Sequence, residues 1–188
     1  RKSKVKLDDE AVPHRAGNSC RSFLNQLPPI LAAGDLKEII SAIVKAHREG
    51  NIVMVGMGAH PIKVGLNPVL IDLMEKGVIN SLSMNGAGII HDFELAFVGH
   101  TSEDVAAELG SGTFGMAEET GRILNEMISD GVKKGYGIGE AIGNELLSEM
   151  FPYRGNSLLA AGARLVIPVT IHVAVGTDII HMHPSADG

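Results

Sequence analysis

Two glycine-rich segments, Gly56-Met57-Gly58-Ala59-His60-Pro61 and Asn85-Gly86-Ala87-Gly88, each stand between a short apolar run and a stretch with helical spacing. Glycines at such a joint let a strand hand its backbone directly to a helix, and repeating the unit forces parallel pairing with right-handed crossovers. The first apolar run, Ile52-Val53-Met54-Val55, has no polar position, as expected of a strand buried between helix layers, and Gly56 closes it. A second strand is expected over Val78 to Met84. The expected fold is therefore α/β, a doubly wound parallel sheet with helices on both faces.

Helix signals fill the intervals. Asp35-x-x-Glu38 reads as a capping box, and Leu36, Ile39, Ile40, Ile43 and Val44 trace one helical stripe that ends at Gly50. Asn67 as cap, Pro68 at the first helical position and Gly77 after the last turn bracket the next helix. Further helices are expected over 102–109, 116–130, 138–150 and 157–164. The run Leu165 to Thr170 predicts a third strand, and its Pro168, which removes a ladder donor, places it at an edge or beside a bulge. Residues 1–12 are charged and lack an apolar period, so 1–34 reads as an N-terminal arm and 35–188 as the domain. Because the first residue is not Met, the natural start is expected upstream, or the N-terminus is expected to be processed.

Composition narrows the partners. A chain of 188 residues can bury about 70% of its unfolded surface in one core. The single Cys20 cannot form an internal disulfide, so a reducing, cytoplasmic location is expected. Net charge −6, 4% aromatic residues and no basic stripe exclude a phosphate-backbone partner, which needs clustered cations and stacking platforms. Nucleic acid is not an expected ligand. The apolar runs fall short of the ~18 residues of a membrane span, so no membrane association is expected either.

Side-chain-free positions at the carboxyl ends of parallel strands let backbone N–H groups approach a pyrophosphate. The second strand ends in Met84-Asn85 with no Asp or Glu to grip ribose hydroxyls, so a nucleotide would be held in a non-standard way. His60 and His91 lie in or just after the two loops and are candidates for phosphate contact or acid–base work near neutrality. His172, His181 and His183 lie near Asp178 and Asp187, and an extended His181-x-His183 would put both imidazoles on one face. That spacing supports an alternative, a metal-dependent hydrolase. The favoured reading assigns no metal and treats 172–188 as a mobile ligand-binding limb hinged at Gly176 and Pro184. Glu118 and Glu119 are expected to stabilise a helix start, and no G-x-S-x-G nucleophile elbow exists.

Three blocks resemble the deoxyhypusine synthase family. GMGAHPIKVG (Gly56 to Gly65) is similar to that family's strand-end G-x-T-S-N-x-x-S-x-G loop, NGAGIIHD (Asn85 to Asp92) to its T-A-G-G-x-x-x-D loop, and LVIPVT (Leu165 to Thr170) to its I-P-V strand. The resemblance implies a Rossmann-like NAD-binding fold, a homotetramer, and transfer of an aminobutyl group from a polyamine such as spermidine to a protein lysine or a small diamine. It implies cofactor contacts at Gly56, Gly58, Ala59, His60, Asn85, Gly86, Ala87 and Gly88, and catalytic roles for His91, Asp178 and Asp187. Ala59 and His60 replace the family's Ser and Asn, Asn85 replaces its Thr, and His91 stands where it has an acidic residue. The family's Thr-Asp-Gly element corresponds either to Thr177-Asp178 or to Ala186-Asp187-Gly188. Its imine-forming lysine is expected beyond Gly188. A nucleotide-binding protein without catalysis is the remaining alternative.

Overall fold

A computed structural model describes residues 4–102, 104, 110 and 117–187. The chain divides into two compact units, residues 1–51 and 52–188. The first holds a 3-10 turn (Leu7–Asp9) and helices α1 (Cys20–Gln26) and α2 (Leu31–Arg48). Ser19 caps α1, accepting from Ser22 N at 3.2 Å. The Lys37 ammonium donates to Leu27 O at 2.5 Å and to Asn25 O at 3.3 Å, gathering the end of α1 onto α2. Helix α2 starts four residues before Asp35, directly after Pro28-Pro29, so Asp35 and Glu38 lie inside the helix and do not form its cap. The stripe from Leu36 to Val44 is exposed, Ile39 by 57%. This helix falls in the first unit, whereas the sequence places the domain start at Asp35.

The second unit holds β1 (Met54–Met57), α3 (His60–Lys63), α4 (Asn67–Glu75), β2 (Ser81–Asn85), α5 (Gly86–Val98), α6 (Glu118–Lys133), α7 (Ile138–Glu145), α8 (Leu158–Leu165) and β3 (Val169–His172). Two 3-10 turns, Arg154–Asn156 and Ile179–Met182, also belong to it. The strands pair in parallel in the order β1-β2-β3. Register aligns Met57 with Met84 and Asn85 with His172, so all three carboxyl ends lie along one edge. The fold is thus mixed α/β around a three-stranded parallel sheet, and the described strands advance in one direction without a reversal.

Several boundaries differ from the sequence expectation for identifiable reasons. Strand β1 begins two residues late because Val53 N donates to the Asn80 side chain at 2.9 Å while Asn80 N donates to Val53 O at 3.0 Å, a local clasp that precedes the ladder. It is an edge strand, and Met54 is exposed, so β1 is not buried on both faces. Pro168 lies just before β3, where its missing N–H costs nothing and its carbonyl accepts from Leu82 N at 2.9 Å. The edge position expected for that strand is present. Asn67 does not cap α4; Leu66 occupies that position and the Asn67 side chain turns into the core. The helix expected over 102–109 lies, apart from 102 and 104, outside the described residues.

Leu82 and Met84 of β2, Ile89 and Phe93 of α5, Leu124, Ile142, Leu146 and Leu158 form a fully buried core. Phe93 packs on Phe97 and Phe151 with ring centroids 5.6 Å and 5.9 Å apart. Gly139 lets α7 lie directly on β3, since a Cβ there would stand 1.8 Å from Val169 O. Among the described residues no helix is long and apolar enough to cross a membrane.

Candidate functional site

Helix α5 positions most of the chemistry. The Asn85 side chain caps it, accepting from Gly88 N at 3.2 Å, which is why Asn-x-x-Gly turns straight from strand into helix here. Residues one apart on a helix point about 100° apart, and His91 and Asp92 accordingly go different ways. Asp92 is fully buried and accepts four hydrogen bonds. Asn67 Nδ2 (3.1 Å) and Leu158 N (2.8 Å) donate to Oδ1, while Ser157 Oγ (2.6 Å) and Leu159 N (3.1 Å) donate to Oδ2. Burial raises its pKa and the four donors oppose that rise. Every partner donates, so the site is shaped for the carboxylate, which also complements the amino end of α8. This residue pins α5, α4 and α8 together.

His91 faces a cavity of about 390 Å³, within the size range of small-molecule sites. Its walls are mostly apolar, with Ile90, Ile179, Ile180 and Met182 among them, and the polar groups are Lys63, His91, Glu94, Ser102, Thr120, Thr177, Asp178 and His183. His91 Nδ1 lies 2.6 Å from Thr101 Oγ1, and that hydroxyl donates to Glu94 Oε2. Thr120 Oγ1 donates to Glu94 Oε1 at 3.2 Å. A carboxylate only accepts, so the Thr101 proton points at Glu94 and its oxygen accepts from His91 Nδ1–H. Burial, and then the Lys63 ammonium, lower the His91 pKa to about 4. The ring is neutral at physiological pH, and the 3.8 Å approach of His91 Nδ1 to Glu94 is not an ion pair there.

Asp178 reaches the same cavity from the turn after β3, with its Oδ2 accepting from Ala174 N at 2.7 Å. Its carboxylate rests on Gly86, whose absent Cβ would stand 2.3 Å from the Asp178 carboxyl carbon. The amino end of α5 is thus already covered by a negative group belonging to this chain. Gly88 has a packing role as well, since a Cβ there would meet Met84 Cβ at 3.0 Å. Gly56 and Gly58 differ: a Cβ at Gly56 would meet nothing within 4 Å, and one at Gly58 only Asn85 Nδ2 at 3.6 Å.

Of the residues singled out in the sequence, Ala87, His91, Thr177, Asp178, His183 and Pro184 border the cavity. Gly56, Gly58, Ala59, His60, Asn85, Gly86 and Gly88 lie off its wall, Gly56 to His60 at the adjacent end of β1. Asp187 is exposed and lies off the wall too. His181 and His183 are not an extended pair, because Ile179–Met182 winds into a 3-10 turn held by buried Ile180 and by Asn125 Nδ2 donating to Ile180 O at 2.9 Å. His183 packs on Gly121 and binds Ser185, His172 contacts Thr170 at the sheet edge, and His181 Nδ1 is buried without a partner among the described residues. Among the described residues no three His, Cys, Asp or Glu side chains converge on a metal position. The 172–188 limb is docked at its centre by that same Ile180 and Asn125 anchor.

Sequence reasoning missed Lys63, Glu94, Thr101 and Thr120. Glu94 was accessible, since it stands three residues after His91 on one helix face. Thr101 returns to His91 because Gly99, at φ 78°, ends α5 in the left-handed conformation and reverses the chain. No local spacing signals Thr120. No family model matches this chain, and no curated protein matches it.

Proposed function

We propose that this chain is an NAD-dependent transferase of the deoxyhypusine synthase kind, taking an aminobutyl group from a polyamine and passing it to an amine acceptor. The observation that carries the reading is the cavity itself, in which apolar walls alternate with Glu94 and Asp178 while His91 is held neutral. A polyamine is a methylene chain carrying ammonium groups, so it matches apolar walls interrupted by carboxylates. Lys63 at the rim tempers the negative charge and favours a ligand that brings more than one cation.

The residues at the β1 end fit a dinucleotide. Gly56 and Gly58 have room beside them that the fold does not use, at the carboxyl end of a parallel strand where phosphates approach backbone. The Asp178 carboxylate on Gly86 disfavours a phosphate over the second loop, so the pyrophosphate belongs over Gly56 to His60 with Asn85 beside it. NAD, when bound, would accept a hydride from the amine-bearing carbon. In this reading the three strands are part of a doubly wound, Rossmann-like sheet with helices on both faces, the enzyme is a cytoplasmic homotetramer, and the acceptor is a protein lysine or a small diamine.

The test is calorimetric titration with NAD and, separately, with spermidine, on the wild type and on Gly58→Val. Because Gly58 has space for a side chain, the variant should fold, and it should lose NAD binding while keeping spermidine binding. Unchanged NAD affinity in Gly58→Val, or no binding of either molecule to the wild type, would overturn the proposal.

A further inference from the structure

We propose that His91, Thr101 and Glu94 form a proton wire in the cavity wall, through which His91 takes a proton from an ammonium group in the cavity and Glu94 ends up holding it. The inference deepens the amine-transfer reading and rests on it for the identity of the proton donor. The wire itself stands on the described contacts. His91 Nδ1 donates to Thr101 Oγ1 at 2.6 Å, and Thr101 Oγ1 donates to Glu94 Oε2. Two donors in series leave His91 Nε2 with the ring's lone pair. The side chains of His91 and Glu94 are only 14% and 17% exposed, so water competes poorly for either.

The step balances without an oxidant or reductant. One proton leaves the ammonium and binds Nε2; the Nδ1 proton moves to Thr101 Oγ1, and the Thr101 hydroxyl proton moves to a Glu94 oxygen. The amine becomes neutral, the imidazole ends neutral with its tautomer exchanged, and the carboxylate becomes an acid. An amine nitrogen must shed its extra proton before the adjacent carbon can release hydride, because its lone pair drives that loss. A buried imidazole beside Lys63 is a poor place to keep a positive charge. The wire avoids storing one there. Thr120, donating to the other Glu94 oxygen at 3.2 Å, keeps the carboxyl oriented before and after the transfer. The charged and titratable groups bordering this cavity are Lys63 from α3, Glu94 on α5, and Asp178 and His183 from the segment after β3.

The experiment needs neither NAD nor turnover. Histidine ring ¹⁵N spectra of the full chain at pH 7, assigned with His91→Gln, should show the Nδ1–H tautomer. Thr101→Val should lose it, and Thr101→Ser should restore it. Acidification then supplies protons without a ligand: the His91 ring midpoint should shift in Thr101→Val and return in Thr101→Ser. An Nε2–H tautomer in the wild type, or a His91 midpoint in Thr101→Val equal to the wild type, would overturn the wire. Should Thr101→Val fail to fold, the wild-type tautomer decides it alone. Spermidine binding, measured in parallel, reports on the proposed function and leaves these spectral outcomes independent.

Discussion

Asp92→Ala should be among the most damaging single substitutions in the second unit, and its cost can be worked from the four donors. A hydrogen bond to a charged group contributes about 1.5–3 kcal/mol, so four would sum to roughly 6–12 kcal/mol if independent. They are not independent. Asn67 Nδ2 keeps Asn156 O at 2.8 Å, and Ser157 Oγ still accepts from Ala160 N at 3.0 Å, so two partners retain part of their bonding. The uncompensated loss falls on the Leu158 and Leu159 N–H groups at the start of α8 and on the buried Ser157 O–H, which has lost its acceptor. About 3–5 kcal/mol is the resulting cost, set by those stranded donors and the emptied volume. Against a typical stability of 5–15 kcal/mol, that should lower the melting temperature by about 10–20 °C. Urea unfolding followed by far-ultraviolet circular dichroism at pH 7 measures it. Asp92→Asn keeps one acceptor oxygen and should cost about half as much, because its amide would face donors. An Asp92→Ala protein within about 1 kcal/mol of the wild type would refute the reasoning, since the pin between α5 and α8 would then be dispensable.

Three further outcomes are expected. Since the folded His91 pKa is lowered from 6.5 to about 4, the unfolded chain binds the extra proton first on acidification, so stability falls from pH 7 toward pH 4. The full shift is worth about 3 kcal/mol and, with part of the site screened by water, about 1–2 kcal/mol should be seen, abolished in His91→Gln and checked by urea unfolding at pH 7.5 and pH 5. Gly139→Ala should cost about 1–3 kcal/mol, because its Cβ would collide with Val169 backbone, whereas Gly137→Ala, with open space beside it, should stay within about 0.5 kcal/mol; thermal melts compare the two. Gly86→Ala should push the Asp178 carboxylate off the start of α5 and weaken spermidine binding at least about tenfold by calorimetry, while equal affinity would separate Asp178 from the ligand.

The parallel sheet was legible because its signal is local: an apolar run, a glycine turn and a helix start repeat in order. The strand limits were not, because the clasp between Val53 and Asn80 joins residues far apart in sequence and decides where the ladder begins. The Asp35-x-x-Glu38 pattern misled for a related reason. A capping box is a pattern of residue types, and these types are equally at home on the exposed side of a helix already started by the chain leaving Pro29. The candidate site divides the same way. His91 and Asp178 stood beside recognisable motifs, but the link between them and Glu94 depends on the reversal at Gly99 and on α6 delivering Thr120. Neither the reversal's direction nor the helix's placement is encoded in a short window.

The glycines of the chain serve several purposes, one of them the left-handed turns at Gly50, Gly77 and Gly99. Gly88 and Gly139 are required because neighbouring atoms occupy the place of a side chain, Met84 in one case and Val169 backbone in the other. Gly86 is required for packing as well, since the atom in that place belongs to the Asp178 carboxylate that borders the cavity. Gly56 and Gly58, like Gly137 and Gly155, have neither an obstructing neighbour nor a left-handed backbone to explain them. An alanine at either position would be sterically free and would lose less entropy on folding, so the fold alone gives no reason for glycine there. The strand end where they lie adjoins Asn85, one residue from Gly86, and through it the Asp178 side of the cavity. The open backbone they leave at the carboxyl end of β1 is what the proposed dinucleotide would use, and Gly58→Val tests that use.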